Sequence, residues 1–216
     1  MTAQVAAAAL FDLDGTLVNT EIRNRALWRM FLKDHGITFD EGLSRRVVGR
    51  RGVDVIPEVL PGLDPQAVME EIRSYYDHPD LPDIVPVPGA AELVARVAEQ
   101  GAPLALVTSA QRWWAVERLT EIGVVEMVQT IVSAEDVTVG KPDPSGYLKA
   151  AGLLSVDPAT CVVFEDSLAG IAAARAAGMT CVAVATTHHP DELSHADLVI
   201  PDMSGIDWPL TELPAV

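Results

Sequence analysis

The 216 residues are 49% hydrophobic and carry a formal net charge of −16, so the chain is globular and long enough to bury a substantial core, either as one medium domain or as a core with a smaller companion. Such an acidic balance argues against a nucleic-acid backbone or an anionic membrane surface as partner, since both select for excess Lys and Arg. No run approaches the ~20 apolar residues of a membrane-spanning helix, and the VAAAALF segment has no basic leader, so it reads as a buried strand and not a signal peptide.

The first element is the apolar run Val5 to Phe11, which ends in Asp12, Leu13, Asp14, Gly15 and Thr16. Strand side chains alternate with period two, so Asp12 and Asp14 share a side. Two buried acids repel unless a cation or a proton is shared between them. Gly15 lets the backbone turn at once, leaving the pair at the mouth of a cleft. Taken alone, an acidic turn closing a strand explains the DxD string equally well.

From about Val18 to Asp83 no strand is evident; helical patterns cover Glu21 to His35, Glu41 to Val48, Val53 to Leu60 and Pro65 to Tyr76. The prolines of DHPDLPDIVPVPG then predict an extended return. After it, strands and helices alternate. The strands are PLALVTS, QTIVS, CVVFED, CVAVATT and DLVI, and the helices span Gly89 to Gln100, Gln111 to Ile122, Pro144 to Ala151 and Leu168 to Ala177. This alternation predicts an α/β fold, a parallel sheet with helices on both faces and ligands beyond the carboxyl ends of the strands. The helical interval, residues 18–83, reads as an inserted domain, with hinges near Leu17 to Thr20 and Pro82 to Pro88. The core then comprises 1–17 and 84–216.

Candidate site residues fall at the strand ends. Thr108 and Ser109 follow PLALV, where they either donate to a phosphate or cap a helix. Lys141 lies between Gly140 and Pro142, which restrain the backbone, and an ammonium fixed beside carboxylates offsets their charge. Glu165 and Asp166 end CVVF, with Ser167 placed to cap the next helix. Cys161 and Cys181 sit in β-prone apolar runs and read as buried free thiols, which suits a reducing cytoplasm. Adjacent His188 and His189 point apart and lack a third ligand, so they read as a surface loop. Trp113 and Trp114 open a helix on the cleft side, one placed to pack and the other to touch the inserted domain.

DLDGTLVNT, TSA, VGKPDPSGYLKAAGL and FEDSLAGIAAARAAGM resemble, in order, the four motifs of the haloacid dehalogenase-like superfamily, most of whose members are magnesium-dependent phosphatases. The resemblance spans essentially the whole chain and includes the subclass with an α-helical cap inserted after the first motif in a Rossmann-like core. It implies that Asp12 is the nucleophile and Asp14 the acid and base, and that Thr108, Ser109 and Lys141 bind phosphate. Asp12, Glu165, Asp166 and the main-chain carbonyl of Asp14 would hold Mg2+. The strings look most like small sugar- and polyol-phosphate phosphatases of the glycerol-phosphate and deoxyglucose-phosphate type. In those relatives a glycine and a basic residue early in the cap contact the substrate, which here points to Gly49, Arg50 and Arg51, with Arg51 facing the cleft.

The expectation is a cytoplasmic, monomeric enzyme acting on a small phosphorylated metabolite, with no nucleic-acid or membrane partner. Dehalogenation is disfavoured by an intact Asp14, and phosphonate cleavage by a cap whose only lysine is Lys33. A hexose-phosphate mutase of the β-phosphoglucomutase kind is the nearest alternative. That branch carries a His where this chain has Asn24, a position that faces the substrate from the cap. A non-catalytic protein binding a phosphate ligand is a reading of another class.

Overall fold

The computed structural model describes residues 6–47 and 49–210. Val5, expected in the first strand, Val48, expected in the second cap helix, and the core ends 1–4 and 211–216 lie outside the described residues. The elements in order are β1 (Ala8–Phe11), β2 (Val18–Asn19), α1 (Glu21–Asp34), α2 (Glu41–Val47), α3 (Gly52–Val59), α4 (Pro65–Arg73), β3 (Val85–Pro86) and α5 (Ala90–Glu99). They continue with β4 (Leu104–Val107), α6 (Arg112–Glu121), β5 (Thr130–Val132), α7 (Ser145–Leu154), β6 (Cys161–Glu165), α8 (Leu168–Ala176), β7 (Thr180–Val184) and β8 (Leu198–Ile200).

Six strands form a sheet in the order β5-β4-β1-β6-β7-β8, and every pairing is parallel. Parallel strands covered on both faces bury both side-chain sets, hence unbroken apolar runs such as AALF and LALV. Period two divides the core. Ala9, Phe11, Leu106, Val162 and Phe164 pack with Leu93, Val94 and Trp114 on one face, and Leu10, Ala105, Val107, Cys161 and Val163 pack with Tyr147, Ala150 and Ile171 on the other. Phe11 and Phe164, partners in register, stack with ring centroids 4.9 Å apart, a contact worth about 0.5–1.5 kcal/mol that ties the ends of β1 and β6 together. Cys161 and Cys181 are free and buried.

Helices α1–α4 build a third core of their own, with Leu27, Phe31, Leu43, Val55, Ile56, Val68 and Ile72 inside it. Asp64 starts α4, its carboxylate accepting the N–H groups of Gln66 and Ala67, with Pro65 in the first turn. One expectation is corrected here. Val18–Asn19, inside the interval read as strandless, pairs antiparallel with Val85–Pro86. The two connections to the helical unit therefore cross as a ribbon, and two residues per strand are too few to leave a periodic signal. Among the described residues no helix is long and apolar enough to cross a membrane.

Candidate active site

The chain leaves β1, runs outward to β4 and β5, then returns to the other side of β1 with β6. In such sheets the loops that diverge around the switch strand open a crevice at its carboxyl end. The loops after β1, β4 and β6 carry three of the four motifs, and the Lys141 loop arrives from β5.

Asp12 follows β1 directly, and its N–H still reaches Phe164 O at 3.0 Å. Counting in twos along β1 and β6 puts Asp12 and Glu165 on the Leu10 and Val163 face, the one covered by α7. Tyr147 of α7 indeed donates to Glu165 Oε1 at 3.0 Å. The buried Lys141 Nζ donates to Asp12 Oδ1 at 2.5 Å, to Val107 O at 3.1 Å and to Glu165 Oε1. Three protons meet three acceptors, so the ammonium is fixed. Burial alone would pull its pKa down, but the charges of Asp12 and Glu165 outweigh that and raise it.

Glu165 Oε2 accepts from Asp166 N (2.9 Å), Ser167 N (2.9 Å) and Ser167 Oγ (3.0 Å). Ser167 Oγ in turn accepts from Gly170 N at 3.0 Å and caps α8. Burial pushes the Glu165 pKa up, but Lys141 and these donors bring it below its ordinary value. A Cβ at Gly170 would lie 1.6 Å from Glu165 Oε1, so only glycine admits this carboxylate.

Asp166 is buried and accepts from Thr16 Oγ1 at 3.2 Å. Gly15 sits at φ +88°, where a Cβ would come within 2.0 Å of Asp166 Oδ2. The turn after the acids thus needs glycine for its backbone and for the approach of the neighbouring carboxylate. Burial, then Glu165 and Asp12, raise the Asp166 pKa far above the usual carboxylate range. Burial also raises Asp12, with Lys141 opposing and Glu165 adding to the rise.

Asp12, Glu165 and Asp166 offer ligand atoms that lie within 4.8 Å of one another. When ionised, three carboxylates against one ammonium leave two uncompensated negative charges. A buried all-oxygen cluster of that charge fits a small divalent cation.

Asp14 turns elsewhere. Its Oδ1 accepts from Thr20 Oγ1 at 2.8 Å and Trp114 Nε1 at 3.1 Å. Burial raises its pKa, and the two hydrogen bonds moderate the rise. Thr20 occupies the N-cap position of α1 yet makes no side-chain cap bond, because its hydroxyl serves Asp14. Asn24 Nδ2 reaches Thr20 Oγ1 at 3.4 Å.

Thr108 is not a helix cap. Helix α6 begins at Arg112 behind Gln111, and Thr108 Oγ1 accepts from Ala110 N at 3.0 Å, leaving its proton to donate. Ser109 gives its proton to Gly49 O at 2.9 Å, tying the strand loop to the helical unit. Arg51 lines the cleft as expected, but its donors are already spent. It pairs with Asp54 through Nε (2.7 Å) and Nη2 (2.8 Å) and donates to the carbonyls of Ala134 (3.2 Å), Val137 (2.7 Å) and Thr138 (2.8 Å). A guanidinium has five donors in a rigid fork, so this set consumes them, a result that no spacing rule could foresee. Arg50 pairs with Glu58 at 2.7 Å.

A cavity of about 160 Å³ opens between the strand ends and the helices; Asp12, Asp14, Thr108, Ser109, Asn24, Gly49, Arg50, Arg51 and Asp166 all line it. Its far wall includes Trp28, Tyr76, Trp113 and Trp114, and Glu21 and Arg25 enter from α1. Trp113 and Trp114 both contact Tyr76, at 5.6 and 4.9 Å between centroids. The bonds of Thr20 and Trp114 to Asp14 escaped sequence reasoning, because partners 6 and 100 residues away leave no common spacing. His189 Nδ1 accepts from Asp191 N at 3.4 Å in a short surface turn and joins no metal cluster among the described residues.

A family profile described as haloacid dehalogenase-like hydrolase matches residues 9–184. The chain is 39% identical over 204 residues to validoxylamine A 7'-phosphate phosphatase of Streptomyces hygroscopicus subsp. limoneus, covering 93% of this chain and 96% of that protein. It is 31% identical over 199 residues to hexitol phosphatase A of Escherichia coli (strain K12), covering 91% of each. A solved structure of a CbbY mutant from Rhodobacter sphaeroides, in complex with xylulose-(1,5)bisphosphate, matches with a TM-score of 0.77 at 26% identity, covering 93% of this chain and 96% of that one.

Proposed function

The chain belongs to the haloacid dehalogenase-like hydrolases and is a phosphoric monoester hydrolase, and from that premise we propose that it is a Mg2+-dependent phosphatase of small sugar or polyol phosphates working through an aspartyl phosphate. The observation that carries this reading is Lys141 bonded to both Asp12 and Glu165, with Asp12 and Asp166 lining a cavity whose wall is aromatic.

Asp12 attacks phosphorus, and the bond from phosphorus to the ester oxygen breaks as the new bond from Asp12 to phosphorus forms. Asp14 gives its proton to the leaving oxygen, then takes one from the water that attacks the aspartyl phosphate, so phosphate departs and both carboxyls are restored. The free proton of Thr108 binds a phosphoryl oxygen, and the ammonium of Lys141, fixed beside Asp12, offsets the phosphoryl charge through its own charge. Mg2+, held by Asp12, Asp166 and the Asp14 main-chain carbonyl with Glu165 beside them, would neutralise phosphoryl charge. Glu165 already accepts five hydrogen bonds, so its first task is to seat Lys141 and the loop after β6.

Helices α1–α4 form the cap that covers this chemistry, docked through Ser109 to Gly49 and through Arg51. Ring faces of Trp28, Tyr76 and Trp113 suit the C–H faces of a sugar, and Glu21, Asn24 and Arg25 suit its hydroxyls. Asn24 in place of a histidine removes a proton-handling group that the mutase branch uses, which favours net hydrolysis.

Phosphate release from a panel of sugar and polyol phosphates, with and without Mg2+ and beside Asp12→Asn, tests the proposal. Release is expected only with the metal and only from the unaltered protein. Metal-independent turnover or an active Asp12→Asn protein would overturn the mechanism, and isomerisation of a hexose 1-phosphate without free phosphate would favour the mutase.

A further inference from the structure

Trp114 is buried against the Tyr76 ring at 4.9 Å and the Trp113 ring at 5.7 Å between centroids, with the Arg118 guanidinium 4.4 Å from its own ring. Arg118 is itself buried and held by Glu117 at 3.0 Å and Glu121 at 2.9 Å. A cation over the indole face draws electron density from the ring and makes the N–H a stronger donor. That N–H meets Asp14 Oδ1, the atom that Thr20 Oγ1 also donates to.

Neither donor reverses. An indole nitrogen only donates, and the Thr20 oxygen, which accepts from Asn24 Nδ2, keeps its own proton for Asp14. With both donors on Oδ1, a proton on this carboxyl belongs on Oδ2. We infer that Trp114 is a positioning residue for the leaving-group acid: its Arg118-backed N–H, with Thr20, holds Asp14 by one oxygen and leaves the other to deliver the proton. The inference rests on the reading of Asp14 as the acid and base.

The test compares leaving groups. Trp114→Phe keeps a ring over Arg118 and removes the N–H. It is expected to lower kcat on a polyol phosphate about tenfold with KM nearly unchanged. The burst of p-nitrophenolate from p-nitrophenyl phosphate reports only the first step and a leaving group that needs no proton, so it keeps its rate. Equal losses on both substrates would mean that the ring merely packs and would overturn the inference, as would an undiminished kcat on the polyol phosphate. Asp14→Asn is the control. Full turnover in that variant defeats the acid assignment itself, whereas loss there with none in Trp114→Phe defeats only the role given to Trp114. If Trp114→Phe does not fold, Arg118→Met carries the test, with an expected loss of about threefold on the polyol phosphate and an unchanged burst; no loss overturns the inference.

Discussion

The carboxyls of Asp12, Asp14, Glu165 and Asp166, gathered at the strand ends, are driven in different directions by their partners. Glu165 is lowered because Lys141 and Ser167 outweigh its burial, while Asp166 is raised because burial is joined by the charges of Glu165 and Asp12. Asp14 has two neutral donors and no bonded cation, so burial dominates and its pKa rises, the state required of a proton donor. Glu21 shows the same balance on the cap side of the cavity. Burial lifts it from 4.5 to about 7, with Arg25 opposing and Glu41 and Asp14 adding to the rise. A carboxyl whose folded pKa is raised binds more protons folded than unfolded, so its contribution to stability falls as pH rises from 4.5 to about 7. Glu21→Gln should therefore flatten the decline of melting temperature across that window, as thermal melts at stepped pH will show; an unchanged slope would remove Glu21 as its source.

At the scale of elements, the loop between α2 and α3 is the point where helical unit and sheet meet. Arg51 reaches three carbonyls of the segment that leads from β5 toward Lys141, and Asp54 holds the guanidinium in place. Arg51→Ala leaves those carbonyls unpaired and loosens both the docking and the lysine loop. We expect an increase in amide hydrogen exchange over residues 133–141 and roughly tenfold lower kcat/KM, since displacement of about 1 Å at a reacting centre costs on the order of a hundredfold. Asp54→Ala should do less, because Arg51 keeps its three backbone acceptors. If the two variants behave alike, the carbonyl contacts do not hold the units together.

For the whole molecule, the −16 net charge and the buried cluster of Asp12, Glu165 and Asp166 tie stability to the proposed cation, whose binding would relieve the repulsion among these carboxylates. A ligand at a hundred times its dissociation constant stabilises by about 2.7 kcal/mol, or roughly 5–10 °C in a chain of this size. Removing Mg2+ with a chelator should lower the melting temperature by that order, and Asp166→Asn should raise the metal-free melting temperature while abolishing the response to Mg2+. Periodicity and turn chemistry made the parallel sheet, the helical interval after β1 and the acids at the strand tips legible in the sequence, because each depends on spacing within a few residues. Asp12, Thr108, Glu165 and Asp166 could be nominated from their places after apolar runs and Lys141 from its Gly140 and Pro142 neighbours, and resemblance supplied the roles proposed for them. Only the tertiary structure decided how donors were shared out: Arg51 spent on Asp54 and loop carbonyls, Ser109 on Gly49, Asp14 held by Thr20 and Trp114. A side chain's residue type states what it can bond, but its partner is whatever the packed fold brings within 3 Å, and for Trp114 that partner lay 100 residues back along the chain.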